Sequence, residues 1–508
     1  MKPKQKDQQP QPMPAAGAVT DTVEKDQQDD PLLARLLEKG FRARTEEDRS
    51  RARDTLDEFI KRVTEGVVHE DREMLDTVDE LIADIDRKLS DQMNEIIHQA
   101  EFMRVEGSWR GLHHLIHESN TGPELEVRML NVSRKDLHRD LTRAPEFDQS
   151  GLFKKIYEEE FGTPGGKPFS YFIGDYEFSN HPQDIQLLEK ISNVAAAGWV
   201  PFFAAAAPQM LDLDSFQDLA NPRDLSMIFE DDAYIKWRMF RESEDSRFVG
   251  LCLPRTLMRL PYGEDTCPVD SFAFEEDVSN QGSHSRYVWG NAAFSLGTRI
   301  NDAFDQYGWC TAIRGLEGGG AVQGLPLHTF RSDTGETVVK CPTEIAITDR
   351  RSNELEKLGF IPLCHYKKSD YAVFFSVRSV QKPKQYDLPE AQANADLSSQ
   401  MQYLLATSRF AHYIKVIQRD KLGSHLTAEN VAKFLNDWIA QYVLLNDKAG
   451  QELKARQPLR EARIEVTEIP GRPGCYDAII WLKPHYQLEE LNVSLRLVAT
   501  LDTPKRES

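Results

Sequence analysis

A chain of 508 residues is long enough for two or three hydrophobic cores, because single cores stop growing at about 250–300 residues. Hydrophobic residues make up 40% of it and aromatic residues 9%, so most of the chain can fold around a core. The formal net charge of −20 argues against a nucleic-acid partner, since phosphate binding needs clustered Lys and Arg side chains.

Membrane and secretion signals are not evident in the sequence. No apolar run approaches the roughly 20 residues of a membrane span. Residues 1–31 also lack the apolar centre of a secretion signal. We therefore expect a cytoplasmic protein with no direct membrane insertion.

Six cysteines lie far apart in the sequence, at Cys252, Cys267, Cys310, Cys341, Cys364 and Cys475. No two of them have the spacing of half a zinc site, so we predict reduced thiols and no metal. One reactive cysteine stays an open alternative, disfavoured because none lies in a recognisable nucleophile motif.

The chain begins with a segment that we expect to be a flexible tail. Residues 1–31 are rich in Gln, Pro, Asp and Lys and have almost no large apolar side chains to offset the entropy cost of ordering. A short apolar stripe with helical spacing follows directly, formed by Leu32, Leu33, Leu36 and Leu37. This helix either docks on its own domain, which its spacing favours, or lies in a partner's groove, which the tail and the charged residues 42–53 favour.

Two longer amphipathic helices are predicted next. In the first, apolar residues recur every three or four positions from Met74 to Ile97, and Asp and Glu dominate the opposite face. This stripe could pack within its own fold or against a helix of another chain, and the periodicity does not distinguish the two. His113 and His117 on the second helix have metal-compatible spacing, but without an intervening Glu or a third ligand we predict no metal site. The apolar residues of the second helix are Phe102, Val105, Trp109, Leu112 and Ile116.

An alternation of strands and helices is predicted from Glu124 to about residue 380, beginning with the period-two run Leu125, Val127 and Met129. The order indicates an α/β or α+β fold with mixed sheets. Further predicted strands are Phe169–Ile173, Val200–Ala206, Phe248–Leu253, Phe272–Glu276, Glu336–Lys340, Phe360–Cys364 and Ala372–Val377. Predicted helices between them are Asp184–Ala196, Leu225–Glu242, Trp289–Gln306 and Asn353–Leu358.

No complete catalytic motif is present. Gly162–Lys167 resembles a phosphate-binding loop, but Phe161 stands where the first glycine is required and Pro168 where the magnesium-binding hydroxyl should be. Gly318–Gly320 lack the Lys and the preceding strand of a nucleotide site, so a tight turn explains them better. Since no nucleophile signature occurs either, we predict no catalytic residues and no cofactor.

The end of the chain is predicted to hold a helix pair and terminal strands. The polar stretch Gln381–Asp387 indicates a linker, and two amphipathic helices follow, at Met401–Ile417 and Val431–Tyr442. The terminal strands either close on themselves or leave an edge for strand addition by a neighbour. Their apolar positions are Ile464 and Val466, the run Tyr476–Pro484, and Val493, Leu495 and Leu497.

Segments spread over about residues 30–500 resemble, in the same order, the large subunit of the contractile sheath of bacterial type VI secretion systems. The most specific segment is FRESEDSRFVGLCLPRTLMRLPYGEDT, residues 240–266. Others are Phe102–Leu112 (FMRVEGSWRGL), Asn131–Leu137 (NVSRKDL), Gly174–Phe178 (GDYEF), Phe374–Lys384 (FFSVRSVQKPK) and Arg409–Val416 (RFAHYIKV). With this resemblance we divide the chain into a tail at 1–31, a helical region at 32–120, an α/β sheath core with a mixed sheet at 121–385, and C-terminal helices and strands at 386–508.

The resemblance implies a structural protein that does no chemistry of its own. With a small sheath subunit it would form heterodimers that polymerise around an inner tube of stacked hexamers on a baseplate. Contraction would drive the tube outward, and an AAA+ unfoldase would dismantle the spent sheath. The handle of the unfoldase corresponds to Leu32, Leu33, Leu36 and Leu37. Strand exchange between neighbouring heterodimers is expected at Ile464, Val466, Val493, Leu495 and Leu497, and contact with the small subunit at Val78, Leu81, Ile85 and Leu89.

Two other hypotheses compete with a sheath protein. One is a soluble, hydrolase-like α/β enzyme whose catalytic residues are too dispersed to recognise. The other is a monomeric adaptor or chaperone, whose terminal strands would pair only within their own chain. The absence of any complete catalytic motif favours the sheath over the enzyme.

Overall fold

The computed structural model describes residues 71–221, 224–278, 283–331, 337–367, 369–421, 424, 427–446, 448–470 and 476–487. The chain divides into two compact units, residues 1–85 and 86–508. Of the first unit, residues 71–85 are described, and they are helical.

The helices alternate with strands through the middle of the chain. A π-helix, Lys154–Phe161, continues α4, and short 3₁₀ turns join several elements. The helices are α1 (Asp71–Ile97), α2 (Ala100–His117), α3 (Arg134–Arg143), α4 (Gly151–Phe153), α5 (Pro182–Gly198), α6 (Leu225–Ile228), α7 (Ile235–Glu242), α8 (Ala292–Tyr307), α9 (Asp349–Lys357), α10 (Pro389–Ser398), α11 (Met401–Asp420), α12 (Ala428–Ile439) and α13 (Gln451–Arg456). The strands are β1 (Phe172–Phe178), β2 (Phe202–Ala206), β3 (Val249–Leu253), β4 (Thr256–Leu257), β5 (Trp289–Gly290), β6 (Ala321–Val322), β7 (Thr329–Arg331), β8 (Thr337–Val339), β9 (Ile361–His365), β10 (Ala372–Phe374), β11 (Leu459–Glu468) and β12 (Tyr476–Pro484).

A six-stranded mixed sheet forms the centre of the second unit, in the order β1-β2-β3-β9-β10-β6. The first four strands are parallel, and β10 runs antiparallel to both β9 and β6. Successive residues of β2 enter different hydrophobic clusters, Phe202 on one face and Phe203 on the other. Helices α5, α7 and α9 cover the first face, and α8 with the start of α11 covers the second. Because both faces are buried, the inner strands have nearly continuous apolar sequences.

Several sequence predictions are confirmed, including α1, α2, the helix pair α11 and α12, and strand β12 at Tyr476–Pro484. The mixed-sheet α/β class is confirmed as well. The structure also contains α10 just after the predicted linker, a helix without an apolar stripe that the periodicity did not reveal.

Two predicted strands are wrong. The segment 125–129 forms no ladder, and its alternation reflects polar residues that make ion pairs, such as Arg128 with Glu160. Phe272–Glu276 is also irregular, because its backbone bonds to a side chain of α1 instead of a strand. Asn94 Nδ2 donates to Glu275 O (3.1 Å), and Asp277 N–H donates to Asn94 Oδ1 (3.1 Å).

Other predicted elements have different limits. The strand predicted at Phe169–Ile173 is Phe172–Phe178 in the structure, and the helix predicted at Asn353–Leu358 begins at Asp349. Leu225–Glu242 is interrupted between α6 and α7, where Asp231 caps a 3₁₀ turn by accepting a hydrogen bond from Ala233 N–H. The helix predicted at Trp289–Gln306 begins at Ala292, because the side chain of Asn291 accepts from Ala293 N–H (2.8 Å) and caps it.

A separate hydrophobic cluster holds the C-terminal elements together. The hairpin of β11 and β12 packs on α11 and α12, and the Trp309 ring stacks on Phe410 with ring centroids 4.1 Å apart. The side chain of Asn436 in α12 bonds to the backbone of β11 in the way that a neighbouring strand would. Its Nδ2 donates to Ile464 O (2.7 Å), and its Oδ1 accepts from Ile464 N–H (3.0 Å).

We predict that the fold loses stability as the pH falls through the titration range of His412. This buried residue of α11 donates from Nε2 to Gly198 O (3.0 Å) at the end of α5. Burial lowers its pKa from 6.5 to about 4, so between these values the unfolded chain binds a proton that the folded chain does not. Stability is therefore complete above the unfolded pKa and falls by up to about 1.4 kcal/mol per pH unit below it.

The measurement is the difference in Tm between pH 7.5 and pH 5.5. His412→Gln, which keeps a donor for Gly198 O but cannot titrate, is expected to show a smaller drop than the natural chain. Equal drops in both proteins would contradict the assignment.

Candidate functional site

Helix α2 lies unusually close to β5 and to the start of α8. A Cβ atom on Gly107 would lie 2.8 Å from Trp289 O, and one on Gly111 would lie 2.4 Å from the Phe294 ring. These positions therefore accept only glycine at this spacing, and with Leu115 they form the buried face of α2.

The large apolar side chains of α2 face away from the core. Trp109 is 60% exposed, and Phe102, Val105 and Ile116 are also exposed. Their spacing of three and four residues, with half-buried Leu112 between them, is that of a coiled-coil seam. The periodicity predicted that these residues share one face. It did not indicate that this face is exposed or that glycines form the buried face.

Helix α1 presents a second exposed apolar stripe. Within the second unit its buried side includes Ser90 and Ile97, and its exposed side carries Leu89, Met93 and Ile96. The four residues expected to contact a small subunit differ in exposure. Leu89 is 41% exposed and Ile85 is 45% exposed, whereas Val78 and Leu81 are half-buried.

A buried ion cluster joins α2 and the end of α1 to the most specific sequence segment. Arg259 donates from Nη1 to Glu276 Oε2 (2.5 Å) and from Nε to Glu106 Oε1 (2.7 Å). His98 Nε2 lies 3.2 Å from Glu276 Oε1, and Arg110 also donates to Glu106 (2.7 Å). Burial acts to raise the pKa of Glu106, but the hydrogen bonds and charges of the two arginines outweigh it and hold the pKa below its ordinary value.

Other arginines of the segment 240–266 also bond to groups within the chain. Arg255 donates to both carboxylate oxygens of Glu177 (2.6 and 2.7 Å) and lies 3.6 Å from Glu344. Arg241 is buried and donates to Val380 O (2.9 Å). The clustering of these arginines suggests a binding site, but the geometry shows their side chains bonded within the chain instead.

The terminal hairpin has one face on the core and one face outward. Ile464 is buried and Val466 half-buried, both in the C-terminal cluster, while Ile479 and Trp481 of β12 are exposed. The start of β11 is covered, because Leu444 N–H donates to Leu459 O (2.8 Å). Within the part of the chain that the structure describes, the second edge of β12 has no strand partner.

The remaining expected site residues, Leu32, Leu33, Leu36, Leu37, Val493, Leu495 and Leu497, lie outside the described residues. His113 and His117 stack with ring centroids 5.5 Å apart. Over the described ranges, no group of three or more His, Cys, Asp or Glu residues is arranged to hold a metal ion. The described helices include none that is long and apolar enough to cross a membrane.

The sequence matches two parts of one family. Residues 79–381 match "EvpB/VC_A0108, tail sheath N-terminal domain" (VipB), and residues 390–501 match "EvpB/VC_A0108, tail sheath gpW/gp25-like domain" (VipB_2). The chain is also 46% identical over 480 residues to the type VI secretion system sheath protein TssC1 of Pseudomonas aeruginosa, covering 93% of this chain and 95% of that protein.

The chain belongs to the VipB/EvpB family of type VI secretion sheath proteins. The resemblance inferred from sequence segments is therefore confirmed, and the hydrolase hypothesis finds no support. A solved structure, the cryo-EM structure of the anti-feeding prophage baseplate, is similar at a TM-score of 0.37 with 9% identity, over 74% of this chain and 83% of that chain. Exposed apolar seams on α1 and α2 are the kind of surface that a polymer-forming sheath protein can use.

We predict that Arg259→Met destabilises this sheath protein by about 3–5 kcal/mol, because it leaves the buried Glu276 carboxylate without its cation. Adding Glu276→Gln should restore part of the loss. Arg139→Met, at an exposed pair with Asp136, is the control and should change stability by no more than about 1 kcal/mol. Chemical unfolding of the purified proteins measures all three, and equal effects of Arg259→Met and Arg139→Met would refute the role of the cluster.

Proposed function

We propose that this protein is the large subunit of a contractile sheath in the bacterial cytoplasm, where it assembles with a small sheath subunit around an inner tube. The observation that carries the proposal is the 46% identity to a type VI sheath protein over nearly the full length of both chains. On this proposal the sheath stands on a baseplate, and its contraction drives the tube outward. The protein needs no active site or cofactor, because each subunit releases free energy by moving from a metastable packing to a better one.

The small subunit is proposed to bind the apolar stripe of α1 that includes Val78, Leu81, Ile85 and Leu89. The exposure of Ile85 and Leu89 supports this, since a monomer gains nothing from two large aliphatic side chains in water. Acidic residues flank the stripe, among them Asp79, Asp86 and Glu95. A partner helix with an apolar stripe and basic flanks would complement both features.

We predict that Ile85→Asp combined with Leu89→Asp prevents co-purification with the small subunit, because it places two carboxylates in an apolar contact. Arg87→Asp is the matched control. It changes the net charge by the same amount, at an exposed position on the face of α1 opposite the stripe, and should leave binding within about threefold of the natural chain. Normal binding by the double variant would exclude this surface.

Strand exchange between neighbouring heterodimers is proposed for the terminal strands. Residues Ile464 and Val466 pack β11 on its own helices. Among the described residues the outer edge of β12 has no strand partner, which supports the addition of a further strand there. The alternating residues Val493, Leu495 and Leu497 have the sequence pattern of such a strand. Exchanged strands would keep neighbours connected while they rotate.

We predict that the natural chain, co-expressed with its small subunit, forms tubules visible by electron microscopy. The chain ending at Tyr486 should give folded heterodimers that do not polymerise. Normal tubules from the shortened chain would contradict strand exchange, and soluble monomers of the natural chain under every condition would contradict the sheath function itself.

Disassembly by an AAA+ unfoldase is proposed to begin at Leu32, Leu33, Leu36 and Leu37. A short apolar helix between a polar tail of about 30 residues and the charged segment 42–53 suits capture in a partner's groove, because its apolar side chains can be buried there. The inner tube protein and the baseplate complete the proposed set of partners.

A further inference from the structure

An open pocket lies beside the end of α1. Its volume is about 570 Å³, and it is bounded by the last two turns of α1, the first turn of α2 and the segment that carries Asp277. Hydrogen bonds connect its walls, because Asn94 bonds to the backbone of Glu275 and of Asp277, and His98 Nε2 lies 3.2 Å from Glu276 Oε1. The side chains that matter for binding are Asp91, Asn94, Glu95, Met103, Asp277 and Arg286.

Two carboxylates of this pocket have no cation beside them. Asp277 is paired with Arg286, which also donates to Asp277 O (3.1 Å). Within the described ranges, neither Asp91 nor Glu95 forms an ion pair. These two residues stand four positions apart on α1, a spacing at which like charges destabilise a helix. A cation from outside the chain would therefore neutralise two charges that the chain itself leaves unpaired.

The pocket adjoins the exposed apolar stripe of α1. Ile96 is 54% exposed and borders a shallow depression that also includes Asp91 and Glu95. Leu89 and Met93 continue the exposed stripe along the same helix. A partner helix bound along this stripe would place the residues of its flank beside the pocket.

We propose that the pocket binds a Lys or Arg side chain of the small sheath subunit. The inference rests on the proposed small-subunit site of α1 and adds a charged contact to it. The ammonium or guanidinium group bonds to the carboxylates of Asp91 and Glu95, while the methylene stem packs on the half-buried Met103. Because apolar contact is not directional, this charged contact sets the register of the partner helix along α1.

Charge and position favour the small subunit over other occupants. A second copy of this chain has a formal net charge of −20, so its surface is for the most part repelled by an acidic pocket. A metal ion is disfavoured too, because the part of the chain that the structure describes has no group of three or more His, Cys, Asp or Glu residues arranged to hold one. The small subunit is proposed to bind the adjoining stripe, so a single basic residue on the flank of its helix is sufficient.

The test uses the double variant Asp91→Asn with Glu95→Gln, which keeps the size of both side chains and removes their charges. Both positions are exposed, so the variant is expected to keep the Tm of the natural chain. Binding of each full chain to the immobilised small subunit is measured at about 50 mM and about 300 mM salt. We expect the variant to bind about tenfold more weakly at low salt and to lose less affinity than the natural chain when salt is raised.

The matched control is Glu158→Gln with Glu159→Gln, which removes the same charge from two exposed residues of the π-helix and should change affinity by less than about twofold. Equal affinity of the natural chain and the Asp91 and Glu95 variant at low salt would overturn the pocket proposal and leave the sheath function standing. Failure of the natural chain itself to bind would contradict the proposed heterodimer, and the pocket proposal with it. Self-association of the natural chain alone that this variant loses would assign the pocket to a second copy, which also overturns the proposal.

Discussion

The contacts of α2 with β5 at Gly107 and with α8 at Gly111 are the constraint on which the outer surface of this sheath protein depends. Because glycine has no side chain, the helix meets the core through its backbone, and its bulky residues must face away. An amphipathic helix of the ordinary kind would bury Trp109 and expose its small residues. The reversed arrangement leaves an apolar seam of α2 outside the core, in addition to the exposed apolar residues of α1.

Two kinds of interaction stabilise the second unit, namely apolar packing of the central sheet and a buried ion cluster. The central sheet is stabilised by apolar contact on both faces, which is strong but not directional. The joint between α2 and the rest of the unit also uses directional contacts, with Arg259 between Glu106 and Glu276. A buried ion cluster adds little net stability relative to apolar packing, but it tolerates few geometries because each charge must keep its partner. It therefore fixes the direction in which the apolar seam of α2 points.

The two family domains are connected by packing as well as by the chain. Trp309 follows α8 of the sheet domain, yet its ring stacks on Phe410 and meets Tyr442 edge-on with centroids 5.0 Å apart in the C-terminal cluster. His412 adds a second connection through its hydrogen bond to Gly198. The terminal hairpin is in turn held by Asn436, so a force on its outer edge would be transmitted to α12 and then to this shared cluster.

The sequence by itself determined the class of fold, the long helices, the hairpin strand at Tyr476–Pro484 and the family, because these depend on periodicity and on local segments such as residues 240–266. Only the tertiary structure decided which face of each element is buried. It turned Trp109 outward through distant contacts of Gly107 and Gly111, and it replaced a predicted strand at Phe272–Glu276 by backbone bonds to Asn94. In each case the deciding partner lies far away in the sequence, and periodicity carries no information about such pairs.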